Sequence, residues 1–244
     1  MHDVPDARRA VLVQVVRTVY QSHSEELQHV KVEATQTGAD PSSLWEGLVR
    51  SAATWGNARG LKTLMEKPEL HDRVRWESLD PLSPTERHEQ ILETLTKAGI
   101  RMAERKAGYL SENFERIHAE GGEARVKERL ESIPGRDGKI GFLRTFRGVG
   151  PKYARNIMMD GYHQDFRDSI AIDQRIQGIL KELGRPFNGD YEETEDFLLS
   201  VAGEAGLEGW EVDRLLFLYS PEVLKGIRQA RESALKILED AGKL

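Results

Sequence analysis

The sequence predicts an all-α fold, and three observations carry that expectation. Every periodic stretch of the 244-residue chain repeats its apolar residues at steps of three and four, the spacing of one helix face. These stretches are bounded by helix start and stop signals such as Ser83-Pro84 and Gly99. No internal repeat or low-complexity segment interrupts them, and the length suits one large domain or two lobes around a shared cleft.

The elements follow in chain order. Val11, Val13, Val16, Val19 and Tyr20 mark a long first helix over 4–30, and 35–43 reads as a loop in which Asp40-Pro41 is a cap and a first-turn proline. A helix over 41–55 ends at Gly56, and another runs over 57–66 before Pro68. Helices follow over 84–98, 101–119 and 123–133, the second with Met102, Leu110, Phe114 and Ile117 on its apolar face. Beyond residue 160, helices are expected over 174–183, 191–201 and 209–219, with a flexible joint at 203–209 and a long last helix opened by Ser220-Pro221.

Composition excludes several chemistries. The chain has no cysteine, which removes disulfides, thiolate zinc sites and any cysteine-held iron–sulfur cluster. Its seven histidines are scattered without a His-Glu-x-x-His pattern, so no catalytic zinc is expected. A net charge of −6 argues against coating nucleic acid through bulk charge but leaves room for a local basic face. No membrane span or signal-peptide pattern is visible, so the expected location is the cytoplasm or nucleoid.

The chain is organised around residues 142–160. Gly148 and Gly150 bracket Val149, so the backbone can turn with positive φ, and Pro151 stands where a new helix has its first residue. A tight turn feeding a helix N-terminus offers N–H groups to a phosphate. From Arg136 to Asp160 six Lys or Arg stand against two Asp, a local excess of four positive charges that includes Arg144, Arg147, Lys152 and Arg155. Lys152 faces the positive end of the helix dipole, which favours the neutral amine that a Schiff-base nucleophile needs; the plainer reading is a surface lysine touching water or phosphate. Asp173 follows the apolar run 170–172 and is placed to N-cap the next helix; near a nucleophilic amine it can also move a proton or stabilise a developing cation.

Gly148-Val149-Gly150-Pro151-Lys152 with a following Ala154, and then an apolar-apolar-Asp turn at Ile172-Asp173, resembles the helix-hairpin-helix (HhH-GPD) superfamily of DNA glycosylases. Phe146-Arg147 stands where that family usually has Leu-Pro, and Gln174-Arg175 where it has Thr-His. The resemblance implies a two-lobed all-α base excision repair enzyme without an iron–sulfur cluster. One lobe would span about 41–183, with the hairpin at 137–160, and the other 1–40 with 184–244. By the same resemblance Lys152 is the nucleophile of a glycosylase with AP lyase activity and Asp173 the catalytic carboxylate. Arg144, Arg147, Gly148, Val149, Gly150 and Arg155 would then bind DNA. The carbonyls of Arg144, Phe146 and Val149 would hold a structural Na+ or K+.

Two further segments extend the resemblance. Residues 51–60 combine small residues, Trp55, Asn57 and Arg59 at a helix break, the parts needed to approach a duplex and fill a gap in its stack; Asn57 and Arg59 are the nearest equivalents of the family's wedge, and an ordinary helix corner with a core tryptophan is the alternative. Asp213 and Phe217 share a helix face, where a carboxylate can accept from a guanine edge and an aromatic ring can stack. Alternatively Phe217 is core and Asp213 pairs with Arg214. With Trp55 and Trp210 they form the expected base pocket, similar in character to that of 8-oxoguanine DNA glycosylases. The expected partner is double-stranded DNA with a damaged base, bound by a monomer. A monofunctional glycosylase for alkylated or deaminated bases and a non-catalytic DNA-binding module are the alternatives.

Overall fold

Helix follows helix through the computed structural model, which describes the backbone of residues 7–39, 43–55 and 59–240 and the side chains within 7–36, 44–55 and 59–233. The helices are α1 Ala7–Ala39, α2 Ser43–Thr54, α3 Arg59–Glu66, α4 Pro68–His71, α5 Trp76–Leu79, α6 Pro84–Lys97 and α7 Ala103–Ala119. They continue with α8 Glu123–Ser132, α9 Gly135–Leu143, α10 Pro151–Met159, α11 Gln174–Glu182, α12 Tyr191–Ala205, α13 Gly209–Leu218 and α14 Ser220–Asp240. No strand occurs among the described residues, as the all-α reading required. Nor is any helix among them long and apolar enough to cross a membrane.

The chain divides into two compact units, residues 34–163 (the hairpin unit) and 1–33 with 164–244 (the terminal unit). The sequence reading put its boundary after 183. The structure groups 164–183 with the terminal unit because the extended stretch before Asp173 is hydrogen-bonded to α12 and α13.

The hairpin unit is built around the apolar face of α7, where Ala107, Leu110, Phe114 and Ile117 are buried. Met102, expected on that face, instead precedes the helix at φ 56° and is exposed. Trp45 of α2 lies edge-on to Phe114 at 5.2 Å, and Trp76 stacks on the same ring at 3.9 Å. Two polar bonds fix Trp45: its indole N–H donates to the Val74 carbonyl at 2.7 Å, and its main-chain N–H to the buried Glu123 carboxylate at 2.6 Å. Glu123 thereby satisfies one of the orphan donors in the first turn of α2 and joins α8 to it. Ser83 and Glu86 form a reciprocal capping box at the start of α6. The two short helices α4 and α5 escaped the sequence reading because four residues are too few to display a period.

In the terminal unit, Trp210, Val212, Leu215 and Leu216 of α13 are buried, as are Leu12, Val16 and Leu27 of α1. α1 runs to Ala39, so residues 35–39, expected as loop, are helical; Lys31, bonded to Glu208 at 2.9 Å and Glu211 at 3.3 Å, holds this end. The Asp40-Pro41 cap lies outside the described residues. α12 likewise continues to Ala205, through part of the expected joint, and stops at Gly206 with φ 77°.

A kink divides α1 at His23, whose φ of −130° and ψ of 16° are not helical. Its ring stacks on Tyr219 at 3.7 Å, and its nitrogens meet Glu26 and Glu222, each at 2.9 Å. The hydrogen bond to Glu222, aided by Glu26, raises the His23 pKa against the opposing effect of burial. A raised folded-state pKa gives stability that is complete below the ordinary value of about 6.5 and is lost as pH rises through the folded value. Melting temperatures are therefore expected to fall from pH 6 to pH 8 in the wild type and to change less in His23→Gln. Equal slopes in the two proteins would exclude this linkage.

Candidate active site

The hairpin turn begins where α9 ends. The Phe146 N–H donates to the Leu143 carbonyl at 3.1 Å, and the Val149 N–H donates to the Phe146 carbonyl at 3.2 Å. Gly148 then takes φ 82°, a left-handed conformation that disfavours any side chain, and a Cβ there would stand 3.0 Å from the Tyr109 ring. Gly150 does not share this feature: φ −91° and ψ −178° are ordinary extended values, so only one of the two glycines turns with positive φ. Pro151 is the first helical residue of α10, as expected, and Lys152 the second.

Asn113 fixes the turn from behind. Its buried side-chain amide donates to the Arg147 carbonyl at 3.0 Å and accepts from the Arg147 N–H at 2.8 Å. This pairing copies one rung of a strand ladder and holds Arg147 immediately before the left-handed glycine.

The cations around the turn separate into two kinds. Arg144 and Arg147 are exposed; Arg147 pairs with Glu112 at 3.0 Å and lies 5.1 Å over the Tyr109 ring. Arg155 is buried instead, with its guanidinium donating to the Pro151 carbonyl at 3.2 Å, so it braces the first turn of α10 and presents no charge to solvent. Lys152 is half-buried, its amine 4.3 Å from the centre of the Tyr153 ring.

Trp55, at the end of α2, belongs to the same unit. Its ring is parallel to Tyr109 at 6.4 Å, and the Arg105 guanidinium stands 5.2 Å from it. Lys106 is buried, and its amine donates to the Trp55 carbonyl at 2.6 Å. Desolvation, with the Arg101 charge second, lowers the Lys106 pKa. A cavity of about 10 Å³ lies between Trp55, Lys106, Asn113, Arg147 and Gly148, room for about one water. Arg59 is exposed on α3, and Asn57, the other wedge candidate, lies outside the described residues.

The remaining candidates stand in the terminal unit. Asp173 caps α11: its Oδ1 accepts from the N–H groups of Arg175 and Ile176, both at 2.9 Å, and Oδ2 has no partner among the described residues. Asp213 is buried, with Oδ1 accepting from the Ala171 N–H at 2.8 Å and Oδ2 3.7 Å from Arg214. Phe217 is 37% exposed and carries the Arg175 guanidinium 4.1 Å above its ring. Asp213 and Phe217, expected on one face, therefore have opposite surroundings, and Trp210 is wholly buried with its main-chain N–H donating to the Arg167 carbonyl at 2.7 Å.

No protein-family model and no curated protein matches the sequence. Solved structures do. The 8-oxoguanine DNA glycosylase of Methanocaldococcus jannaschii is 20% identical with a TM-score of 0.65, over 85% of this chain and 92% of that one. The 8-oxoguanine DNA glycosylase of Thermotoga maritima is 18% identical with a TM-score of 0.66, over 86% and 95%. The M. jannaschii 8-oxoguanine glycosylase/lyase in complex with a 15mer DNA containing 8-oxoguanine gives 19%, 0.67, 84% and 94%. This chain has the 8-oxoguanine DNA glycosylase fold.

Within that glycosylase fold, Lys152 and the turn stand on the hairpin unit and Asp173 on the terminal unit. Sequence reasoning missed Asn113, Tyr191 and Glu195. Asn113 could have been found as an amide at helical spacing between Leu110 and Ile117 on the buried face of α7. Tyr191 and Glu195, one helical turn apart, fall in the helix expected over 191–201, where nothing in the neighbouring sequence marks them.

Proposed function

We propose that this protein is a base excision DNA glycosylase with β-elimination lyase activity, acting on an oxidised base, with 8-oxoguanine as the foremost candidate. The observation that carries the reading is Lys152 at the second position of α10, directly behind the Gly148 turn, in a chain with the glycosylase fold.

The chemistry divides among named groups. Main-chain N–H groups at the turn and the exposed Arg144 and Arg147 grip the phosphates, giving binding a salt dependence set by a few contacts. The glycosidic bond is out of reach inside a duplex, so the damaged nucleotide is flipped out first. The Lys152 amine attacks C1′, and the bond from C1′ to the base breaks with its electron pair leaving on the base. Asp173, through its open Oδ2, stabilises the positive charge that develops on the sugar and takes part in proton transfer. Opening of the sugar gives the imine on Lys152, and loss of a proton from C2′ expels the 3′ phosphate.

The carbonyls of Arg144, Phe146 and Val149 are hard oxygen donors of the kind that suits Na+ or K+. The Phe146 carbonyl accepts one N–H and keeps a second lone pair, which supports the reading that the turn would hold such an ion. Its contribution would be to hold the turn and counter the charge of a neighbouring phosphate.

The test is a panel of duplexes carrying single 8-oxoguanine, oxidised pyrimidine, uracil or abasic sites, assayed for base release and for borohydride-trapped adduct. Release of 8-oxoguanine with a trapped adduct is the expected result. Adduct on abasic DNA alone would leave the lyase and exclude that lesion. Release without adduct would select the monofunctional enzyme, and binding without either would select the non-catalytic module.

A further inference from the structure

We propose that Tyr191, Glu195 and Asp213 are positioning residues that set the Asp173 carboxylate by holding the three residues before it. The inference rests on the reading of Asp173 as the carboxylate that serves base release.

Residues 170–172 belong to no helix, and Ile170, Ala171 and Ile172 are each at most 4% exposed. Buried peptide groups outside a helix need partners, and an all-α unit offers no neighbouring strand. Here the three consecutive N–H groups are taken one by one by side chains of α12 and α13. The Ile170 N–H donates to Glu195 Oε1 at 3.0 Å, the Ala171 N–H to Asp213 Oδ1 at 2.8 Å and the Ile172 N–H to the Tyr191 hydroxyl at 2.9 Å. The Tyr191 hydroxyl in turn donates to the Ile170 carbonyl at 2.9 Å, so one phenol spans two peptide units.

Two of these clamps are acids, and both are buried, Glu195 at 2% and Asp213 at 3% exposure. Burying a carboxylate is expensive unless strong hydrogen bonds compensate, and bonds from N–H to an ionised oxygen are about twice as strong as neutral ones. Close packing adds a fourth restraint. A Cβ on Gly209, the first residue of α13, would lie 2.9 Å from the Ser169 nitrogen and 3.1 Å from the Asp168 Cα, so only glycine lets the helix press this near. The backbone is thus fixed up to Ile172, while Oδ1 of Asp173 is fixed from the other side by the first turn of α11. Oδ2 is the oxygen that the cap does not use. This assignment also gives Asp213 a task in the main chain, in place of reading a base edge.

The test compares Tyr191→Phe, Asp213→Ala, Glu195→Ala and Glu195→Gln in single-turnover base release, with substrate affinity, melting temperature and amide hydrogen exchange measured alongside. Misplacement of a catalytic group by about 1 Å costs about 10²-fold in rate. Tyr191→Phe is expected to lose about that factor in the single-turnover rate while affinity and folding are retained, with faster exchange at Ile172. Glu195→Gln, whose amide oxygen still accepts, is expected to recover most of the rate that Glu195→Ala loses. Wild-type rates in both Tyr191→Phe and Asp213→Ala would overturn the proposal, as would unchanged exchange of the 170–172 amides. A wild type that releases no base would fail the reading of Asp173, and the exchange measurements would still decide whether the clamp exists.

Discussion

A Lys152→Gln variant is expected to leave no borohydride-trapped adduct on any duplex that traps the wild type. Glutamine matches the lysine in helix propensity and has no nucleophilic amine, so the first turn of α10 should form unchanged. Removing a cation from the positive end of a helix dipole adds a few tenths to about 1 kcal/mol, so the melting temperature should hold or rise slightly. Loss of adduct with a stable fold separates chemistry from folding. The buried lysines of the hairpin unit are poor substitutes: the amines of Lys106 and Lys139 each donate at 2.6 Å to a main-chain carbonyl, of Trp55 and Ile133 respectively. A trapped adduct that persists in Lys152→Gln would assign the imine elsewhere and remove the carrying observation of the proposed function.

Much of this arrangement is legible in the sequence because its signals are local. Pro151 at a first helical position, Asp173 as an N-cap, the Ser83 start and the Gly99 stop each follow from the conformations that a few neighbouring residues permit. What the sequence hid has two causes. Arg155 braces its own helix through the Pro151 carbonyl and Met102 leaves the apolar face at a left-handed residue, both local, whereas the bond from Ala171 to Asp213 spans 42 residues. Glu123, Asn113 and Glu195 are polar residues at buried positions whose partners lie 78, 34 and 25 residues away, and no window of sequence contains both ends of those bonds. The same holds for the α1 terminus, where the weak helix formers Thr35 and Thr37 are carried by a helix that Lys31 ties to Glu208 and Glu211.

Asp173→Asn is expected to reduce base release by about 10² to 10⁴-fold while leaving the protein as stable as the wild type. The structure gives this substitution its meaning. Asp173 caps α11 through Oδ1 alone, and asparagine caps a helix about as well as aspartate, so the bonds from Arg175 and Ile176 survive. What is lost is the negative charge on the atom that the cap does not use. Asp173→Ala removes the cap too and should cost about 1 kcal/mol of stability besides the rate, so the two variants together apportion the residue's roles. An Asp173→Asn protein that releases base at the wild-type rate would leave Asp173 a cap and nothing more. The lyase step should respond differently: an abasic site already carries an aldehyde and has no base to expel, so no glycosidic cleavage charge needs stabilising. Trapping on abasic DNA is therefore expected to survive Asp173→Asn far better than release of the base, and to vanish in Lys152→Gln.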